Sequence, residues 1–84
     1  MAGQIERIRI FIRVAELGSF ARASRDLGVS RSIVTRYVSE LEDELGVQLL
    51  VRTTRKVSLT VAGQIYLDRT RSVVEELDRA RELV

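Results

Sequence analysis

Thirteen of the fourteen basic side chains in this 84-residue chain are arginine, and the sequence contains neither cysteine nor histidine. Arginine offers a planar fork of N–H donors matched to phosphate and to the O6/N7 edge of guanine, so the available chemistry is recognition of anions and base edges. Thiol nucleophiles, disulfides, zinc sites and imidazole acid–base catalysis are excluded. The arginines are also grouped. Arg22, Arg25, Arg31 and Arg36 share their stretch with one acid, Asp26. Glu40, Glu42, Asp43 and Glu44 then reverse the sign, and Arg52, Arg55 and Lys56 reverse it again. Net charge is only +2, so the distribution carries the argument and the balance does not. An ordinary salt-bridged surface is the competing explanation of charge alone.

The elements that must position these groups follow from apolar spacing and punctuation. From about Ile5 to Leu17, Ile5, Ile8, Phe11, Ile12 and Ala15 recur at helical intervals, with Val14 and Leu17 widening the stripe. Gly18 is the expected stop, and Ser19 is placed to cap a second helix running to Leu27, with Phe20, Ala23 and Leu27 inward. Leu27-Gly28-Val29-Ser30 then forms a glycine-bearing corner, in which Val29 tucks under the turn and Ser30 caps a third helix. At 100° per residue, Val34, Val38, Leu41 and Leu45 fall within about 60° of one another, while Ser32, Thr35, Arg36 and Ser39 face the other way. The start of this helix is polar and basic, and its dipole favours phosphate. The acids Glu40 to Glu44 stand at its far end, so only the first two turns are expected to enter a groove.

Gly46 ends the third helix. Leu49-Leu50-Val51 and Val57-Ser58-Leu59 are β-prone runs about a polar tip, Thr53-Thr54-Arg55-Lys56. Thr60 caps a last helix from about Val61 to the C-terminus, with Ala62, Tyr66, Val73, Leu77, Ala80 and Val84 recurring by three and four. Such a stripe outruns what so small a core can cover, which points to a partner helix. Packing on the chain's own first helix is the alternative. The predicted fold is mainly α: a winged helix-turn-helix, with a three-helix core and a short β-hairpin wing, over residues 1–60. A long C-terminal linker helix follows over residues 61–84. A content of 45% hydrophobic and 31% charged residues fits one globular domain. No apolar run approaches the ~20 residues of a membrane helix, the N-terminus lacks a signal-peptide pattern, and the absence of cysteine fits a reducing cytoplasm.

Several separated blocks then agree in order and spacing with a known family. They are Val14-Ala15-Glu16-Leu17-Gly18-Ser19-Phe20, Leu27-Gly28-Val29-Ser30, Leu41 to Leu50, Arg52-Thr53-Thr54-Arg55 and Leu59-Thr60-Val61-Ala62-Gly63. Over nearly its whole length the chain resembles the DNA-binding domain of LysR-type transcriptional regulators. The resemblance implies a homodimer paired through the linker helix and reading an interrupted palindrome in double-stranded DNA. It also implies a small-molecule effector bound only by a further, larger domain, so the chain reads as a DNA-binding fragment. Base-reading positions carry over to Arg31, Ser32, Thr35 and Arg36, and wing positions to Arg52, Thr53, Thr54, Arg55 and Lys56. Three positions depart from the common pattern: Arg31 in place of glutamine, Thr35 in place of serine, and Ile33 in place of a smaller residue. The first two bear on base preference, the third on how the helix seats.

Arg36 is the first candidate for a guanine contact, with a phosphate contact or a solvated side chain as the plain alternative. Arg31 suits base or phosphate equally, Thr35 can offer its methyl to thymine, and Ser32 permits close approach. Arg55 and Lys56 suit phosphate or an adjacent minor groove. Tyr37 and Phe20 read as core. Dimer contacts are expected from Tyr66, Val73, Leu77, Ala80 and Val84. The expected function is sequence-specific binding of double-stranded DNA by a homodimer in transcriptional regulation, in the cytoplasm and with no cofactor. A protein-interaction module and a non-specific architectural DNA binder are the alternatives. An enzyme is not expected, because no convergent catalytic pair is evident.

Overall fold

Hydroxyl side chains open three of the four helices. The computed structural model describes residues 3–53 and 56–84, in the order α1 (Gln4–Leu17), α2 (Phe20–Leu27), α3 (Arg31–Leu45), β1 (Leu50–Arg52), β2 (Val57–Leu59) and α4 (Val61–Glu82). The Ser19, Ser30 and Thr60 hydroxyls accept from the backbone N–H groups of Arg22, Ile33 and Gly63, at 3.1, 3.2 and 2.9 Å. Each satisfies one of the donors a helix start leaves unpaired. The corner between α2 and α3 turns on Gly28 at φ 69°, a left-handed conformation in which a side chain would clash with its own backbone.

The winged helix-turn-helix read from the sequence is what forms. α1 lies against α2, α3 and α4, and the hairpin pairs antiparallel with Leu50 opposite Leu59, Val51 opposite Ser58 and Arg52 opposite Val57. Its first strand begins one residue later than the β-prone run suggested. The core holds Phe11, Val14, Val34, Val38, Leu41, Leu49 and Leu50, all essentially sealed from water. Ile10, which the expected stripe omitted, is also buried.

Four expected core residues are not buried. Ile5, Leu27, Val29 and Leu45 are each more than a third exposed. All four stand at an element's end: the first turn of α1, the last residue of α2, the corner, and the last residue of α3. Periodicity fixes which face a residue takes, but a helix end has fewer neighbours to cover it.

α4 has 22 residues, about 33 Å at 1.5 Å per residue. Its inward side is Gly63, Leu67 and Val74, a line the expected stripe did not include. Gly63 lies inside the helix, where the Leu49 carbonyl oxygen would be 2.0 Å from any added Cβ. The absent side chain lets α4 pass directly over the start of the hairpin. Ion pairs fix the helices laterally: Arg13 grips Asp26 on α2 (2.6 Å), and Arg9 grips Asp78 on α4 (2.7 Å).

Candidate nucleic-acid interface

The first two turns of α3 divide by face as the 100° spacing requires. Val34 and Val38 are fully buried, Arg31 and Ser32 are exposed, and Thr35 is half-buried at the edge of a cleft. The Arg36 side chain is 60% exposed, with its guanidinium 5.4 Å from the Tyr37 ring centre and 3.8 Å from Glu40. Neither contact is strong for so exposed a group, so the guanidinium remains available to a ligand. Tyr37 is half-buried against the core, as expected.

The hairpin brings a second set of cations beside the first. Arg31 and Thr35 from α3, Phe20 from α2, and Arg52, Thr53 and Lys56 from the hairpin line one open cleft of about 330 Å³. Arg52 is the braced member. Its guanidinium carbon lies 4.5 Å over the Phe20 ring, and one terminal nitrogen lies 3.7 Å from a Glu42 carboxylate oxygen. Phe20 is buried, as expected, and carries this stacking as well. Thr53 is turned to the hairpin's own use: its hydroxyl donates to the Lys56 carbonyl and accepts from the Lys56 N–H, both at 3.1 Å. Lys56 is exposed. Thr54 and Arg55, named as wing candidates from sequence, lie outside the described residues.

Three of the four acids toward the far end of α3 are engaged internally, and Asp43 is exposed. Glu44 pairs with Arg7 of α1 at 2.7 Å, and Glu40 lies 3.8 Å from the same arginine. Glu42 accepts from the backbone N–H groups of Leu49 and Leu50 at 2.8 and 3.2 Å. The sequence groups Glu42 only with the acids at the far end of α3. The signal is angular: at 100° per residue, Glu42 falls beside the buried Val38 and Leu41, on a flank that faces the hairpin.

Of the five positions named for dimer contact, Tyr66 is half-buried within the protomer, its ring 5.8 Å from that of Phe11. Burial, and secondarily the Glu44 carboxylate, push its phenol above the ordinary range, against a smaller opposing effect of Arg7. Val73 is 59% and Leu77 39% exposed, and Ala80 and Val84 are also exposed. With Ala62 and Tyr66, the residues Val73, Leu77 and Ala80 form one flank of α4, about a quarter-turn from its buried line; Val84 lies beyond the helix, which stops at Glu82 short of the expected C-terminal end. Beside this flank Leu45, Val47, Leu49 and Ile65 line an apolar depression of about 300 Å³. No helix of the described residues is long and apolar enough to cross a membrane.

Comparison with known proteins agrees with this architecture. Residues 5–64 match the family described as "Bacterial regulatory helix-turn-helix protein, lysR family". The HTH-type transcriptional regulator CrgA of Neisseria meningitidis is 44% identical over 75 residues, which cover 89% of this chain and 25% of that protein. The chain thus spans about a quarter of the length of the curated relatives it matches. Among solved structures, the CbnR_DBD–DNA complex superposes with TM-score 0.89 at 38% identity, covering 95% of this chain and 92% of that one. The BenM_DBD/catB site 1 DNA complex superposes with TM-score 0.92 at 28% identity, covering 96% and 90%. This chain belongs to the LysR family of bacterial regulatory helix-turn-helix proteins.

Proposed function

We propose that this chain binds double-stranded DNA sequence-specifically as a homodimer, in the service of transcriptional regulation in the cytoplasm. One observation carries the reading: Arg31 and Thr35 of α3 and the basic hairpin line a single cleft, with Arg36 exposed outside it on the same helix, while Glu44 and Glu42 toward the far end of α3 are tied to Arg7 and to the hairpin backbone. In this reading the first two turns of α3 enter the major groove. Arg36 and Arg31 offer forks to guanine, Thr35 offers a methyl and a hydroxyl, and Ser32 leaves room for close approach. Arg52 and Lys56 of the wing neutralise phosphate, and Thr53, Thr54 and Arg55 are the remaining wing candidates from sequence. Similarity to two domains solved with DNA supports the assignment.

The apolar flank of α4 supports the dimer, with Val73, Leu77 and Ala80 as contacts, Val84 just past its end and Tyr66 at its inner edge. Two reading heads related by a two-fold axis call for an interrupted palindrome. A small-molecule effector belongs to a domain outside the present residues. Selection of bound duplexes from a random pool tests the reading. The expected product is a pair of inverted half-sites whose centres lie whole helical turns apart, roughly 34–36 Å or a multiple. Recovery of unselected sequence, with equal affinity for scrambled duplexes, would mark a non-specific architectural binder instead. The same exposed flank favours a second reading, a protein-interaction module, and tight partner capture without any duplex shift at low salt would establish that one.

A further inference from the structure

Glu42 has the least exposed carboxylate of the ion pairs among the described residues, at 14%. One of its oxygens receives the N–H groups of Leu49 and Leu50 at 2.8 and 3.2 Å, and the other faces Arg52 at 3.7 Å. The other edge of the same segment is held from α4. The Thr60 hydroxyl donates to the Gln48 carbonyl at 2.7 Å, and the Thr60 N–H donates to the Leu49 carbonyl at 3.0 Å. The stretch leading into β1 is therefore clamped between the third and fourth helices, and Glu42 supplies the clamp on the side of α3. Hydrogen bonds from backbone amides to a carboxylate are among the stronger kinds, and losing them would strand two donors in a poorly hydrated place. Arg52, braced by Phe20 on one side and Glu42 on the other, links this clamp to α2.

We propose that Glu42 is a positioning residue of the nucleic-acid interface: it fixes the hairpin at one angle to α3, so that Arg52 and Lys56 meet the same duplex as Arg31 and Arg36. The inference rests on the DNA-binding reading above. It also fixes a sign. A bystander carboxylate near DNA repels phosphate, so its removal tightens binding. Removing a positioning carboxylate weakens binding despite the gain in positive charge.

The test measures dissociation constants for the whole chain on a mixed-sequence duplex of about 30 base pairs at low salt. The variants are Glu42→Gln, Arg52→Lys and the two combined. Glutamine keeps an acceptor for the Leu49 and Leu50 N–H groups but no attraction for the guanidinium. Lysine keeps the charge of Arg52 but neither the fork nor the stacking. Each single variant is expected to weaken binding roughly 3- to 10-fold, and the double variant no more than the worse single, as for residues that act through one another. Equal or tighter binding by Glu42→Gln, or effects that simply multiply, overturns the proposal. If Glu42→Gln loses its helical circular dichroism, Arg52→Lys decides alone, and unaltered affinity there overturns it. A wild-type chain that binds no duplex overturns the DNA reading and this inference with it. Wild-type binding with insensitive variants overturns the inference only.

Discussion

Replacing Gly63 with alanine should destabilise the protein, although intrinsic helix propensity argues the opposite. Alanine in a helix interior is favoured over glycine by about 1 kcal/mol. At this position, however, the added carbon would stand 2.0 Å from the Leu49 carbonyl oxygen, 2.9 Å from its carbon and 3.1 Å from a Leu59 methyl. The first contact is about 1 Å short of anything tolerable, and the obstacle is backbone, which cannot rotate aside. Either α4 or the segment entering β1 must retreat. That segment is held by Glu42 at its N–H groups and by Thr60 at its carbonyls, so retreat strains both clamps. Overpacking costs about 1–3 kcal/mol, occasionally more, and so deep a clash with backbone takes the upper part of that range, which leaves a net loss of about 1–2 kcal/mol after the propensity gain. At roughly 4–8 °C per kcal/mol for a domain of this size, the melting midpoint should fall by about 4–16 °C. Thermal unfolding followed by circular dichroism at fixed protein concentration measures it. An unchanged or higher midpoint would refute the argument that α4 and the hairpin meet backbone to backbone at Gly63.

Three further outcomes are expected. Arg36→Ala should relax base preference, with about 1–3 kcal/mol of discrimination lost at one position of the selected site, whereas Lys56→Ala should weaken all sequences alike and lower the salt slope by about one, both read by titration at several ionic strengths. Leu41→Ala, at a site with no exposure, should cost about 2–5 kcal/mol in denaturant unfolding, a large share of a typical domain's stability. Acid should loosen the helix packing: hydrogen bonds from Arg13 hold the Asp26 carboxyl below its usual range, and those from Arg9 do the same for Asp78. The side chains of both pairs are more than a third exposed, so their contribution is modest; it is present at neutral pH and lost as pH falls below the ordinary carboxylate value near ~4 and through the lowered folded one. Asp26→Asn with Asp78→Asn should flatten that part of the stability–pH curve without moving its alkaline side.

Much of this architecture was legible because its signals are local. Ser19, Ser30 and Thr60 cap as expected, since a hydroxyl before an apolar-periodic run competes for amides only a few residues away. Gly28 marks the corner because few other residues tolerate its backbone. Depth was less legible than direction: Leu27, Val29 and Leu45 lie at element ends where fewer neighbours cover them. On α4 the apolar residues are too numerous to show which flank is inward, and Leu67 and Val74 take the core while Val73 and Leu77 do not. Helical spacing places Glu42 on the flank beside the core, but its partners are backbone amides, which sequence does not mark. Gly63 was hidden for a related reason, since its requirement comes from a carbonyl fourteen residues upstream.

Backbone amide resonances of the isotopically labelled chain, followed while a duplex is added, examine the proposed binding surface residue by residue. Shifts should concentrate between Ser30 and Arg36, at Ser19 and Phe20 beside the cleft, and at Arg52 and Lys56. They should spare Asp43 to Val47 at the other end of α3. The largest changes falling on that acidic end, with the stretch from Ser30 to Arg36 silent, would contradict the account.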